Sequence, residues 1–271
     1  MSDRLVCTIL GCGSSGGVPR IGGDWGACDP QNPKNRRRRC SLLVERVAAD
    51  GGRTTVLVDT GPDMRAQLLD AGVGDLDAVL YTHAHADHIH GIDDLRGLAI
   101  RNRRRIDVYC DQATSERLHQ GFSYCFYAPP GSLYPPILRE YRLTAGEPVT
   151  IAGAGGPLTA VPFEQIHGDI RSLGFRFAGV AYSSDLNALP RESHAWVEHL
   201  DLWILDALRY RSHSSHLSVA DALELIARFA PKRAVLTNMH LDLDYAALAA
   251  ELPPHVEPAC DMMRLELALA A

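Results

Sequence analysis

The heptapeptide THAHADH at residues 82–88 constrains this chain more than any other stretch, and it follows a short apolar run at residues 78–81. An apolar run of that length bounded by polar residues predicts a buried β-strand. Side chains two residues apart point the same way in an extended segment, so His83 and His85 would converge on one point beyond the strand end. An aspartate and a third histidine follow in the motif, where the chain turns, and can face a second point nearby. The spacing therefore predicts two adjacent metal positions at a strand end.

Three isolated donors further along the chain, His167, Asp185 and His240, also follow directly after strand-like stretches. Taken alone, each is more often a surface residue or a hydrogen-bonded core residue. Together with the histidine motif, they would complete a site for two ions. Asp185 is the natural bridging ligand, because one carboxylate can offer an oxygen to each ion.

Composition and the order of the elements predict the fold class. The 271 residues are 46% hydrophobic and 22% charged, with a net charge of −6. This composition is ordinary for a globular protein, and the charge argues against nucleic acid as a partner. Strand candidates come first as antiparallel pairs and later alternate with helices, and no linker divides the chain. We expect one domain over residues 1–271, an α+β, four-layer αββα sandwich of two packed sheets with helices outside.

The apolar patterns predict individual elements. The strand candidates are 5–10, 41–47, 54–59, 78–81, 158–163, 172–177, 179–183, 201–205, 233–237 and 262–268, and the helix candidates are 62–71, 112–120, 188–199, 218–229 and 244–250. Residues 121–137 contain five aromatic side chains but are too rich in proline for a helix or a central strand. An aromatic loop of this kind could cover a pocket, with Tyr124 in contact with the substrate, or pack on the core or on a partner subunit.

The cysteines and the N-terminal sequence bear on the compartment. Seven cysteines at scattered positions do not suggest a disulfide framework. The first residues form no apolar signal region, and no apolar stretch approaches the length of a membrane span. We therefore expect a cytoplasmic protein with no membrane partner.

The ordered ligand motifs resemble those of the metallo-β-lactamase-fold hydrolases (metallo-hydrolase fold). Within that superfamily the chain looks most like the PhnP-type phosphodiesterases, which act on cyclic phosphates such as phosphoribosyl 1,2-cyclic phosphate. The supporting segments are the glycine-rich turn at 11–19, the segment 35–41, Asp59-Thr-Gly61 and Ser184-Asp185.

The resemblance implies two divalent ions, Zn or Mn, in a defined ligand set. It assigns His83, His85 and His167 to one ion, assigns Asp87, His88 and His240 to the other, and makes Asp185 the bridge. Asp59 is interpreted as orienting a metal-bound imidazole.

Two departures from the family pattern matter. The family usually has Thr-His where this chain has Thr237-Asn238, and the histidine comes two residues later as His240. A shift of two keeps a side chain on the same face of an extended segment, so His240 is still assigned as a ligand. Residues 22–28 contain one cysteine, Cys28, where related proteins hold an extra zinc with a cysteine cluster, so no structural zinc is expected.

The implied activity is hydrolysis of a phosphodiester in a small cyclic or nucleotide-like phosphate, by attack of a metal-activated hydroxide. The predicted catalytic residues are Asp87 and His216; Ser215-His216-Leu-Ser218 resembles the region where related enzymes place a proton-donating histidine. His213 and His90 are competitors for that role.

Substrate contacts are assigned to Ser14 and Ser15 in the glycine-rich turn, to Arg36 and Arg37, whose guanidinium forks suit phosphate, and to Tyr124. The run Arg36–Arg39 leaves open which arginine contacts the phosphate. The expected partner is a small-molecule phosphate ester, and a homodimer is left open. The alternatives are a tRNA 3′-processing nuclease and a thioester or lactam hydrolase of the same fold.

Overall fold

Two mixed sheets of seven strands each lie at the centre of the computed structural model, which describes residues 2–269. The strands are β1 (Arg4–Gly11), β2 (Ser41–Val47), β3 (Arg53–Val58), β4 (Ala78–Leu80), β5 (Ile106–Cys110), β6 (Leu138–Arg142), β7 (Val149–Ile151), β8 (Leu158–His167), β9 (Ile170–Phe177), β10 (Val180–Ser183), β11 (Leu202–Asp206), β12 (Ala234–Thr237), β13 (Val256–Pro258) and β14 (Met263–Ala268). The first sheet has the order β14-β1-β2-β3-β4-β5-β6 and the second β13-β12-β11-β10-β9-β8-β7. The predicted α+β sandwich is confirmed.

The core lies between the two sheets, and the alternation of side chains along each strand explains why. Leu42 and Val44 of β2 join Phe175 and Trp203 of the second sheet in one buried cluster. Leu43, between them, points the other way into a second cluster under the outer helices. Because the first sheet is buried on both faces here, the segments 42–44 of β2 and 56–58 of β3 are continuously apolar rather than alternating.

Helices cover the outer faces of both sheets. They are α1 (Met64–Asp70), α2 (Ala86–Ile89), α3 (Leu95–Asn102), α4 (Gln112–Phe126), α5 (Val219–Phe229) and α6 (Tyr245–Glu251), with short 3-10 turns at Pro33–Asn35, Ile92–Asp94 and Arg191–Trp196. Met64, Leu95 and Leu118 bury α1, α3 and α4 against the first sheet. Val219, Ala222 and Ile226, spaced for one helical face, bury α5 against the second.

Two expectations about helices are wrong. Residues 121–126 are helical and extend α4, with a break at Phe122. The first proline of the aromatic segment is Pro129, so the proline-rich part begins only after this helix has ended. The helix expected at 188–199 is a single 3-10 stretch that starts after Pro190.

All seven cysteines are free thiols, in keeping with the expected lack of a disulfide framework. Of the helices within residues 2–269, none combines the length and the apolar character needed to cross a bilayer.

Candidate metal centre

The candidate residues come together because strands from both sheets end at a common edge. Strands β10, β11 and β12 run parallel, so the residues after their carboxyl ends, among them Asp185 and Asn238, lie side by side. In the other sheet β3 and β4 are also parallel, which brings Asp59 beside the histidine motif. The backbone N–H of Leu173 donates to the carbonyl of Thr82 at 2.8 Å and ties the two sheets together at this edge.

Three imidazoles and one carboxylate form the first cluster: His83, His85, His167 and Asp185. His85 Nδ1 lies 3.0 Å from His83 Nε2 and 3.2 Å from His167 Nε2. Nitrogen ligands at about 2.0–2.1 Å around a tetrahedral ion lie roughly 3.3 Å apart, so this spacing fits one ion between the imidazoles. Asp185 Oδ2 stands 3.9 Å from His83 Nε2 and 3.8 Å from His167 Nε2.

The second cluster contains Asp87, His88 and the same Asp185. His88 Nε2 lies 3.4 Å from Asp87 Oδ2 and 3.3 Å from Asp185 Oδ1. The two oxygens of Asp185 therefore face different clusters, as a bridging ligand requires. The structure thus brings together six of the seven residues that the sequence nominated as ligands.

The buried carboxylate of Asp59 orients His88. Its Oδ2 lies 2.7 Å from His88 Nδ1 and accepts from the Thr82 hydroxyl at 2.8 Å, while the Thr82 backbone N–H donates to Oδ1 at 2.8 Å. An imidazole that donates its Nδ1 proton keeps the lone pair of Nε2 for a metal. The contact predicted for Asp59 is present in the structure.

A backbone carbonyl oxygen orients His167. His167 Nδ1 lies 2.7 Å from the Ser215 carbonyl oxygen, so this nitrogen carries the proton and Nε2 faces the cluster. The hydrogen bond also fixes the loop that carries His216 against the first cluster.

Three residues at this edge adopt a strained backbone conformation. Asp59, Asp185 and Asn238 have φ of 65°, 54° and 60°, in the left-handed region. Such conformations cost on the order of 1–3 kcal/mol each for non-glycine residues, although aspartate and asparagine tolerate them best. In each case the turn carries the side chain from the strand end into the site.

Burial and charge set the protonation of the cluster. Burial, reinforced by the charge of His88, lowers the pKa of His83 well below its ordinary value, and burial also lowers the pKa of His85. Both are therefore neutral, the form that binds metal. Burial alone would lower the pKa of His88, but the carboxylates of Asp185 and Asp87 outweigh it and raise that pKa well above its usual range. A cation is therefore favoured at the second position.

One buried nitrogen of the donor set is left for a metal. Within residues 2–269, His88 Nε2 is one of six buried side-chain nitrogens without a hydrogen-bond partner, and His240 Nδ1 at the cavity wall is another. A buried polar atom left in this way costs about 1–3 kcal/mol unless something else satisfies it. Because the atom points between two carboxylates, a divalent ion is the partner that its surroundings favour.

His240 is not part of either cluster, although it lines the cavity above them, and the two-residue shift along an extended strand does not describe its position. Strand β12 ends at Thr237, and Asn238 has left-handed φ, so the chain is no longer extended where the two-residue shift was counted. The side chain at the edge of the site is instead that of buried Asn238, whose Nδ2 donates to Asp185 Oδ1 at 3.1 Å. His240 faces Asp242 at 3.2 Å and the guanidinium of Arg20.

The predicted proton donor, His216, borders the first cluster. Its Nδ1 lies 3.0 Å from Oδ2 of buried Asp206, and its Nε2 lies 4.0 Å from Asp185 Oδ2. Burial alone would lower the pKa of His216, but the hydrogen bond and charge of Asp206 outweigh it and raise the pKa above the ordinary value. Asp206 was not nominated from the sequence, although it ends β11 just as the ligands follow their strands.

A cavity of about 300 Å³ opens over the clusters. Its walls include the predicted substrate contacts Ser14 and Ser15 and also two cations, Arg20 and Arg209, that sequence reasoning missed. Arg20 closely follows the glycine-rich turn, and Arg209 follows β11 by three residues. The sequence analysis looked for acids and histidines directly after strands. The same search for arginines would have found Arg209.

The remaining predicted substrate contacts lie elsewhere. Arg37 is 2% exposed and donates to the carbonyls of His240 at 3.1 Å and Leu243 at 2.6 Å, so it holds a loop rather than a ligand. Arg36 is exposed, 5.3 Å from the Trp25 ring centre. Tyr124 lines a separate depression beside Arg96 and does not line the cavity.

A larger cavity, of about 750 Å³, lies on the outer face of the first sheet away from the histidines. Its most buried charged groups are paired: Arg53 donates to Glu45 at 2.7 Å, and the Thr55 N–H donates to Asp77 at 2.8 Å. We place the chemistry at the smaller cavity because only that one adjoins the ligand clusters.

Two packed sheets with a histidine and aspartate cluster at their shared edge define a metallo-hydrolase fold. Residues 54–239 match the family described as "Beta-lactamase superfamily domain". A crystal structure described as a new diphosphatase from the PhnP family is 32% identical, covers 99% of both chains and has a TM-score of 0.87. The chain belongs to the β-lactamase superfamily, and the expected likeness to PhnP-type proteins is confirmed.

Curated relatives carry other names. An octanoyltransferase of Porphyromonas gingivalis is 32% identical over 262 residues, which are 95% of this chain and 50% of that protein. A ribonuclease Z of Bradyrhizobium sp. strain ORS 278 is 32% identical over 151 residues, 55% of this chain and 47% of that protein. The chain thus spans about half the length of these relatives.

Proposed function

We propose that this chain is a metal-dependent phosphodiesterase that acts on a small cyclic or nucleotide-like phosphate. The observation that carries the proposal is the pair of clusters that share Asp185, beneath a cavity that contains Arg20 and Arg209. Two divalent ions held by these clusters would supply an activated water and neutralise charge on the phosphoryl oxygens. Zn and Mn both suit the donors.

The cavity is suited to a small anionic substrate. Its volume, about 300 Å³, is at the lower end of the range for small-molecule sites, about 300–1,000 Å³. Arg20 and Arg209 are the formally cationic residues of its walls, and guanidinium groups bind phosphoryl oxygens in a bidentate manner. The hydroxyls of Ser14 and Ser15 add donors on the same side.

His216 is proposed to donate the proton that the leaving alkoxide needs. Asp206 accepts the Nδ1 hydrogen bond and favours the protonated ring, which leaves Nε2 directed at the centre with a proton to give. Asp87 is proposed as a ligand whose carboxylate borders the substrate cavity.

A nuclease is the second candidate, because the matching ribonuclease Z shares 32% identity with about half of this chain. The net charge of −6 disfavours it, since binding to the RNA backbone depends largely on cationic surface. The name of the octanoyltransferase raises the alternative of thioester chemistry. A thioester, which carries no phosphoryl charge, would not explain the two arginines in the cavity.

The proposal is tested with metal-loaded protein on a panel of substrates: bis(p-nitrophenyl) phosphate, a ribose cyclic phosphate, a diphosphate ester, a precursor tRNA, nitrocefin and a glutathione thioester. We expect turnover of small phosphate esters and none of the last two. Turnover of nitrocefin or the thioester, with phosphate esters untouched, would overturn the proposal, and cleavage of the tRNA alone would favour the nuclease.

The same assay tests the arginines. Replacing Arg20 or Arg209 by alanine should lower kcat/KM for phosphodiesters by about 10- to 100-fold, since a hydrogen bond to a charged group is worth about 1.5–3 kcal/mol. Arg36→Ala, an arginine on the surface outside the cavity, is the matched control and should leave kcat/KM unchanged. Equal losses of kcat/KM in all three variants would contradict the proposal that Arg20 and Arg209 contact the substrate.

A further inference from the structure

The two clusters offer chemically unequal donors. The first supplies three imidazoles and one carboxylate oxygen, while the second supplies a single imidazole and carboxylates from Asp87 and Asp185. Imidazole suits zinc, whereas carboxylate and carbonyl oxygens suit manganese and magnesium. The first position also matches the spacing of a small tetrahedral ion, as described above.

Asn238 contacts the carboxylate that the two clusters share, and its amide also lies 3.2 Å from His216 Nδ1. Its side chain is buried, with Nδ2 3.1 Å from the Asp185 oxygen that faces the second cluster. The Cys40 thiol approaches its Oδ1 at 3.8 Å. An asparagine amide is neutral, and a half-turn about its terminal torsion exchanges its nitrogen for its oxygen. It therefore offers the second position a hydrogen-bond donor to Asp185 or a weak oxygen ligand, never an imidazole or a charge.

We infer that the centre binds its two ions unequally, with zinc held tightly at the three-histidine position and a weaker, exchangeable ion at the Asp87–His88 position, and that Asn238 sets the difference. The second position should also tolerate manganese better than the first, because oxygens dominate its donors. This inference rests on the proposed metal-dependent function. It predicts that occupancy of the second position, and so turnover, follows the free metal concentration.

Equilibrium dialysis of the full chain against graded Zn²⁺ or Mn²⁺, with bound metal per chain measured by mass spectrometry, tests this directly. Wild-type protein should bind zinc in two separate steps. We expect the two affinities to differ by about 10- to 100-fold, the range over which groups that orient the ligands change metal affinity. Mn²⁺ added after one equivalent of zinc should give the electron paramagnetic resonance signal of an isolated Mn²⁺ ion.

Two variants connect the difference to Asn238. Asn238→Asp keeps the shape and the tolerance for a left-handed backbone, adds a charge, and should tighten the second step, most clearly for Mn²⁺. Asn238→His should bring the two zinc affinities closer together. The aspartate variant keeps the test decisive if histidine does not fit the buried position.

The outcomes separate this inference from the proposed function. Two steps of equal affinity in wild-type protein, or an unchanged separation in both variants, would overturn the inference and leave a metal-dependent phosphodiesterase standing. Failure to bind any zinc or manganese would overturn both.

Discussion

Three imidazoles of this site are oriented by hydrogen bonds at their Nδ1 atoms, whereas His85 turns its own Nδ1 toward the first cluster. His88 is held by Asp59, His167 by a backbone carbonyl and His216 by Asp206. Each bond fixes one tautomer and turns Nε2 toward the shared edge of the sheets. The proposed metal ligands His88 and His167 differ from His216 in protonation. A metal ligand must have no proton on Nε2, whereas a proton donor must carry one there. This difference separates the metal ligands from the proposed proton donor.

Replacing His216 by alanine should distinguish substrates by their leaving groups. Esters of poor leaving groups need a proton as the bond breaks. Because general-acid catalysis typically contributes about 10²- to 10⁴-fold in rate, we expect kcat/KM for these esters to fall by about that factor. Nitrophenyl esters, whose leaving group needs no proton, should lose far less. The measurement is kcat/KM for a series of esters against leaving-group pKa. An equal loss across the series would exclude proton donation by His216, and His213→Ala serves as the control among its neighbours.

Whether single residues could be predicted from the sequence depends on how local their signals are. The motif at 82–88 is local, and the structure brings its four donors to the two clusters. Arg20 carries no local pattern, because its position in the cavity is set by contacts distant in the chain, whereas Arg209 follows the end of β11 and could have been found from the strand pattern. The path of the chain to His240 could not be predicted, because the left-handed turn at Asn238 leaves no mark in the alternation of apolar and polar residues.

At the scale of elements, most buried strands could be predicted because they are apolar runs between turn residues. The polar edge strand β6 escaped notice, since its side chains are largely exposed and it reads as LREYR. Helix α5 begins and ends at the predicted residues to within one position, because Ser218 and Asp221 form a capping box at its start.

The capping box connects α5 to the loop that carries His216. The Ser218 hydroxyl lies 3.2 Å from the Asp221 N–H and 2.6 Å from Asp221 Oδ2. Ser218→Ala should lower the free energy of unfolding by about 1 kcal/mol, measured by urea denaturation. Ser214→Ala, an exposed serine of the same loop, is the control and should change it little. A loss of equal size in both variants would contradict the capping role.

At the scale of the whole molecule, the centre joins the two sheets. The histidine motif follows β4 of the first sheet, whereas His167 and Asp185 come from the second. The class of fold could be predicted because both sheets show their apolar patterns in sequence. The cavity above the centre could not, since its walls come from loops whose paths depend on the packed sheets.

The most direct test of the central claim measures bound metal and hydrolysis of bis(p-nitrophenyl) phosphate in the same samples of chelator-treated protein during reloading with Zn²⁺ or Mn²⁺. We predict no turnover without metal, turnover that returns as the ions bind, and a His83→Ala variant that keeps its circular dichroism spectrum but stays inactive. Full turnover in metal-free protein, or undiminished turnover in metal-replete His83→Ala, would contradict the account.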